Sequence, residues 1–105
     1  MLESTYQAGL IKKLRKLLPG CVILKNDTDY MQGIPDLTIL YCDRWGMLEV
    51  KAREDADHQP NQEWYVDQLN AMSFAAFIYP ENEKEVLDAI CEAFGLSRQA
   101  RVHQR

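Results

Sequence analysis

Leu2, Tyr6, Leu10, Leu14 and Leu17 recur at three- and four-residue spacing, the period that gathers side chains on one face of an α-helix, until Pro19-Gly20 ends the run. The period then shortens. Cys21-Val22-Ile23-Leu24 is a continuous apolar run that reads as a short buried strand, and Lys25 to Gln32 is a polar connection. Leu37 to Cys42 and Met47 to Lys51 flank Asp43-Arg44-Trp45-Gly46, the pattern of strand, tight turn and strand. Pro60 suits the first position of a second helix running to about Met72. Phe74 to Tyr79 reads as a strand apolar on both faces. Asn82 with Glu85 three residues later has the capping-box pattern, opening a last helix with Val86, Leu87, Ile90 and Phe94 as its core stripe and Gly95 as its stop. This order predicts an α/β fold, αβββαβα, with one central mixed sheet flanked by helices over residues 1–95. Residues 96–105 read as a flexible basic tail.

Side chains alternate along a strand, so Glu49 and Lys51 share one face and Val50 points into apolar packing on the other. With the turn centred on Asp43-Arg44 and Cys42 opposite Trp45, Asp36 falls across from Lys51 and diagonal to Glu49, within about 7–8 Å of it. Two carboxylates that close repel unless a cation lies between them. All-oxygen ligands favour Mg²⁺, or Mn²⁺ in its place, over Zn²⁺. A lysine beside such an ion can orient or deprotonate a water and offset charge on a phosphate, which is the chemistry of phosphodiester hydrolysis. An isolated acid-x-lysine triplet is ordinarily a solvated surface pair. Gly33-Ile34-Pro35-Asp36, thirteen residues upstream, is what changes the reading here.

Gly33-Ile34-Pro35-Asp36, Glu49-Val50-Lys51 and Gln62 together resemble the PD-(D/E)XK nuclease superfamily, and the Gly-x-Pro-Asp form with a later glutamine resembles its virus-type replication-repair nuclease (VRR-NUC) domain. The likeness covers about residues 2–94. It implies a restriction-endonuclease-like core, a metal held by Asp36, Glu49 and the Val50 backbone carbonyl, catalytic support from Lys51, and an acidic residue on the first helix, here Glu3. Gln62 takes the place of the family glutamine, a neutral amide able to bond a water or a phosphate oxygen, and the helix pattern turns it outward. Small standalone members resemble Holliday junction resolvases, so the resemblance implies a DNA endonuclease on branched substrates, working as a homodimer because two opposed nicks match a two-fold axis. One departure is the stretch 52–59, more acidic than the glycine- and serine-containing loop of the family.

Composition narrows the alternatives. The chain has 105 residues, enough for one domain and no second lobe. It has no long apolar run and no secretory pattern after Met1, which predicts a cytoplasmic protein, in host cytoplasm if viral. Three cysteines, odd in number and without Cys-x-x-Cys spacing, read as buried, reduced thiols and argue against a disulfide framework and a structural zinc site. The net charge of −4 is unevenly spread: residues 1–25 carry +4, residues 96–105 carry +3, and the middle carries −11. Positive ends around an acidic centre suit a phosphate backbone drawn towards bound cations. Lys12, Arg15, Lys16, Lys25 and Asn26 are therefore the candidate DNA contacts, although a basic cluster near a helix C-terminus also complements the helix dipole. Glu3 has a similar double reading, as a metal ligand or as a favourable acid in a first helical turn. His58 could assist the site but a histidine in a polar loop is ordinarily just exposed. The rival functions are a nickase or general nuclease without junction selectivity, a catalytically idle nucleic-acid-binding module, and a protein-interaction adaptor.

Overall fold

Seven elements follow one another in the computed structural model, which describes residues 1–96: α1 (Glu3–Leu17), β1 (Val22–Lys25), β2 (Leu37–Tyr41), β3 (Arg44–Val50), α2 (Gln62–Met72), β4 (Phe74–Ile78) and α3 (Glu83–Ala93). This is the αβββαβα order the hydrophobic pattern predicts. The four strands form one mixed sheet in the order β1-β2-β3-β4. The first three run antiparallel, and β4 lies parallel to β3 because α2 carries the chain back across the sheet.

Alternation divides the sheet into two unlike faces. Leu37 and Ile39 from β2, Leu48 and Val50 from β3, and Ile78 from β4 point to one face, where they meet Tyr6, Leu10, Leu14 and Leu18 of the first helix and Val86, Leu87, Ile90, Cys91 and Phe94 of the last. This is the core, and each fully buried leucine in it contributes about 2–3 kcal/mol. The stripe on α1 differs from the expected one at its ends: Leu2 is exposed, and Leu18, beyond the last helical turn, is fully buried beside Leu17, which packs partly buried against the core. α2 lies on the other face, over β3 and β4. One helix cannot cover four strands, so β1 is not the buried strand its composition suggests. Val22, Leu24 and Leu40 lie exposed on the uncovered strip.

The hairpin register is two residues away from the expected one. Tyr41 pairs with Arg44 and Leu40 with Trp45, leaving the two-residue turn Cys42-Asp43 with Cys42 at φ 54°. Continuing the ladder one step past Leu37↔Leu48 sets Asp36 opposite Glu49 rather than Lys51. A shift of two keeps every side chain on its predicted face, so the cluster survives and tightens. Cys42 is consequently exposed, Cys21 partly buried and Cys91 buried, all as free thiols.

Helix ends depart from their sequence signals in three places. α2 begins at Gln62, after Asn61 adopts a left-handed backbone at φ 70°, and not at Pro60. The capping box of α3 does not form: the Asn82 side chain turns back to β4, accepting from the Tyr79 amide and donating to the Phe77 carbonyl. α3 ends as a Schellman motif, with Gly95 at φ 82°, its amide on the Glu92 carbonyl and the Leu96 amide on the Cys91 carbonyl. Leu96 packs against the core and so belongs to the domain; the remainder of the expected tail lies outside the described residues. Among the described residues, no helix is long and apolar enough to cross a membrane.

Candidate active site

Beside the start of α2, where the β2-β3 ladder ends, the chain leaves a cleft of about 360 Å³. Glu3, Asp29, Asp36, Glu49, Lys51 and Gln62 are among its walls. Four of the five catalytic candidates are joined there by direct contacts.

Asp36 follows Pro35, whose ring is fully buried, and its Oδ2 accepts the Val50 amide at 2.9 Å. A side chain thereby replaces a backbone partner at the point where the β2-β3 ladder stops, which fixes both the carboxylate and the peptide preceding the Val50 carbonyl. Glu49 is only 2% exposed. Its Oε2 accepts the Gln62 Nε2 at 2.9 Å and lies 3.6 Å from the Lys51 Nζ. Its Oε1 is buried and receives no donor from a neutral or cationic group among the described residues, leaving the Asp36 carboxyl as the group it can share a proton with. Burial pushes the Glu49 carboxyl up to about 8, Asp36 beside it pushes in the same direction, and Lys51 pulls against both. Glu3 adds a smaller upward push from the cleft wall.

Lys51 is 6% exposed, and its Nζ donates to the Asp57 carbonyl at 3.0 Å and to the Gln62 Oε1 at 2.8 Å. Gln62 does not face outward. The left-handed Asn61 rotates the first turn of α2 so that Gln62 is buried, with one end of its amide on Glu49 and the other held by Lys51 and by the Gln59 amide at 2.8 Å. Its amide therefore sets the positions of the carboxylate and the ammonium, and is not directed at a substrate oxygen.

Other candidates sit apart from this cluster. Lys12, Arg15 and Lys16 are exposed on α1, roughly 14 to 20 Å along the helix axis from Glu3 at 1.5 Å per residue. Lys25 is exposed at the end of β1. Asn26 has its side chain engaged within the fold, donating to the Pro35 carbonyl at 2.8 Å and accepting from the Thr38 hydroxyl at 3.0 Å, which ties the polar loop to β2. His58 stacks on Phe77 at 4.2 Å between ring centroids and pairs with Glu63. Two contributors lie outside the predicted set. The Asp57 carbonyl, in the acidic stretch 52–59, orients Lys51; Gln59 holds Gln62 through its amide. Both act through backbone groups, for which side-chain patterns carry no signal.

No three Asp, Glu, His or Cys side chains among the described residues converge as a ready-made metal site. The donor set still fits a hard cation. Asp36, just before β2, and Glu49 on β3 bring two carboxyl groups together, and the described residues lining the cleft include no cysteine, methionine or histidine. Compared with family models, with curated proteins and with solved structures, the chain has no significant match in any of the three.

Proposed function

We propose that the chain is a divalent-metal-dependent DNA endonuclease of the PD-(D/E)XK kind, similar to VRR-NUC domains, acting on branched DNA as a homodimer in the cytoplasm. The observation that carries this reading is the Asp36-Glu49 carboxyl pair itself: Glu49 is 2% exposed, and burial together with Asp36 pushes it up to about 8, so without a cation the two must share a proton. Two like carboxyl groups held this close, one of them buried, are costly in a purely structural hairpin and are relieved by a cation between them. Asp36, Glu49 and the Val50 carbonyl would hold Mg²⁺ or Mn²⁺, with Glu3 on the cleft wall. When bound, the ion lowers the pKa of a water ligand and neutralises phosphate charge. Lys51 is held by Asp57 and Gln62 so that its ammonium stays beside Glu49, where it can orient the attacking water and balance charge on the phosphorane-like transition state. Gln62 keeps acid and base apart at fixed separation.

A catalytically idle nucleic-acid-binding fold is the second reading, and the close satisfaction of Lys51 by protein acceptors favours it. Cleavage of labelled four-way, flap, nicked and linear DNA with Mg²⁺, Mn²⁺, Ca²⁺ or EDTA separates the two. The expected outcome is Mg²⁺- or Mn²⁺-dependent cutting of branched DNA, absent in EDTA. Equal cutting of every substrate would leave a general nuclease, and DNA binding with no cutting in any metal would leave the idle module.

The exposed basic face of α1 supports DNA as the partner. A duplex strand advances about 3.4 Å per phosphate, so Lys12 and Lys16 reach phosphates several steps from a scissile bond near Glu3. Reversing both charges, Lys12→Glu with Lys16→Glu, is expected to weaken DNA binding and lower the slope of log K against log salt by about 0.9 for each phosphate that is no longer neutralised. Metal affinity should stay at its wild-type value. Unchanged binding and slope, measured by fluorescence anisotropy across a salt series, would remove this face from the interface.

A further inference from the structure

The loop between β1 and β2 carries an exposed aromatic ring into the neighbourhood of the cleft. Tyr30 is 83% exposed and Met31 beside it is 38% exposed. The residues that bracket them, Thr28, Asp29 and Gln32, line the cleft. The backbone under the ring is held in place. Asp27 accepts the Asp29 amide at 2.9 Å and the Tyr30 amide at 3.2 Å through Oδ1, and its carbonyl accepts the Met31 amide at 3.3 Å. Gly33, at φ 94°, is buried so tightly against the chain before α2 that a Cβ there would lie 2.6 Å from the Asn61 Cβ and 2.7 Å from the Pro60 carbonyl oxygen. The ring thus stands just outside the cleft lining on a loop whose flanking residues form the cleft wall, and that anchoring lowers the ordering cost of using it as a contact.

Charge says what kind of contact the loop can make. From Asn26 to Asp43 there is no lysine or arginine, while Asp27 and Asp29 lie on the loop itself. A segment of that composition repels phosphates and cannot grip a continuous duplex by its backbone. The uncharged face of a nucleobase is different, since it stacks on an aromatic ring regardless of its sequence. In an intact duplex that face is covered by its neighbours. At a branch point, flap or single-stranded stretch it is available.

We infer that Tyr30, with Met31 beside it, is a stacking platform for an unpaired base next to the cleft, and that it makes the site selective for DNA with an unstacked nucleotide over continuous duplex. The inference rests on the nuclease reading and adds its specificity element. Asp29 and Gln32, which flank the pair in sequence and line the cleft, bring an acceptor and a donor to the same loop.

The test compares Tyr30→Ala, Tyr30→Phe and wild type on a forked DNA with one 2-aminopurine at the branch and on a continuous duplex of the same length. Anisotropy gives affinity, and 2-aminopurine fluorescence reports stacking. Base stacking on one aromatic corresponds to about 5- to 150-fold in affinity. The ratio of forked to duplex affinity should fall by that factor in Tyr30→Ala, with loss of the fluorescence quench, and stay near wild type in Tyr30→Phe. An unchanged melting temperature in Tyr30→Ala separates this loss from misfolding, as expected for so exposed a ring. Equal ratios in wild type and Tyr30→Ala would overturn the platform, as would a Tyr30→Phe variant as weak as alanine. A wild-type protein that cleaves DNA but gives either of those results retains the nuclease reading without this element. A wild-type protein that binds neither DNA overturns both.

Discussion

Lys51→Met is expected to reduce the single-turnover rate of DNA cleavage by about 10²- to 10⁴-fold while leaving DNA affinity within a factor of two or so of wild type. Methionine fills the buried volume that the lysine stem occupies, so packing between β3 and the start of α2 is preserved. The groups that lose their donor can be accommodated. Gln62 Oε1 keeps the Gln59 amide, and the Asp57 carbonyl belongs to an exposed loop residue that water can reach. What disappears is the positive charge beside Glu49, which acts chiefly when charge builds on the phosphate. A rate equal to wild type would exclude Lys51 from catalysis and leave it as a structural cation. A fall in affinity as large as the fall in rate would place its role in substrate binding.

The second large effect concerns stability without metal. Asp36→Asn is expected to raise the melting temperature of the metal-free protein at pH 8 to 9 by several degrees and to abolish the further rise on adding Mn²⁺. Asparagine can still accept the Val50 amide, and its Nδ2 can donate to Glu49 Oε1 where an Asp36 carboxylate can only accept. It also removes the like charge that helps push Glu49 upward. At about 4–8 °C per kcal/mol for a domain this size, relief on the order of 1 kcal/mol is measurable. The pH dependence has a defined sign. The Glu49 carboxyl titrates at about 8 in the fold, against about 4.3 in an unfolded chain. Between those values the folded protein holds a proton that the unfolded chain has released, so Glu49's contribution is fully present below about 4.3 and is lost as pH rises through 8. Wild type without metal should therefore melt lower at pH 8.5 than at pH 6 on account of this group. Asp36→Asn should flatten that slope, and differential scanning calorimetry at the two pH values decides. Identical slopes in the two proteins would mean that Asp36 and Glu49 do not interact.

Asp36, Glu49 and Lys51 are legible in the sequence because strand alternation has a period of two, and even a turn misplaced by two residues returns each side chain to its own face. The α1 and α3 segments are legible for the corresponding reason, a sustained helical period closed by Pro19-Gly20 or by Gly95, whereas α2 is signalled only by Pro60, two residues before it begins. Gln62 shows where such reasoning stops. Whether it faces water or the cleft depends on the left-handed Asn61 immediately before it, and nothing in Gln59-Pro60-Asn61 requires that conformation. The exposure of β1 is also beyond local pattern, because an apolar run does not reveal how many helices are available to cover it. Asn82 carries a capping signal, yet the nearby end of β4 offers its side chain both a donor and an acceptor, and that pairing wins. The Asp57 carbonyl on Lys51 belongs to the least legible class, a backbone group in an aperiodic loop.

Whether a divalent cation binds between Asp36 and Glu49 in place of a shared proton is tested most directly by isothermal titration of Mn²⁺ into the metal-free protein at pH 7.5, in two buffers of different ionisation enthalpy. One ion should bind per chain, with release of a proton from the Glu49 carboxyl, whose value near 8 leaves it largely protonated at that pH. Asp36→Asn should bind no ion over the same range. Absence of binding to wild type at millimolar Mn²⁺, or equal binding to Asp36→Asn, would contradict a metal centre on these two strands.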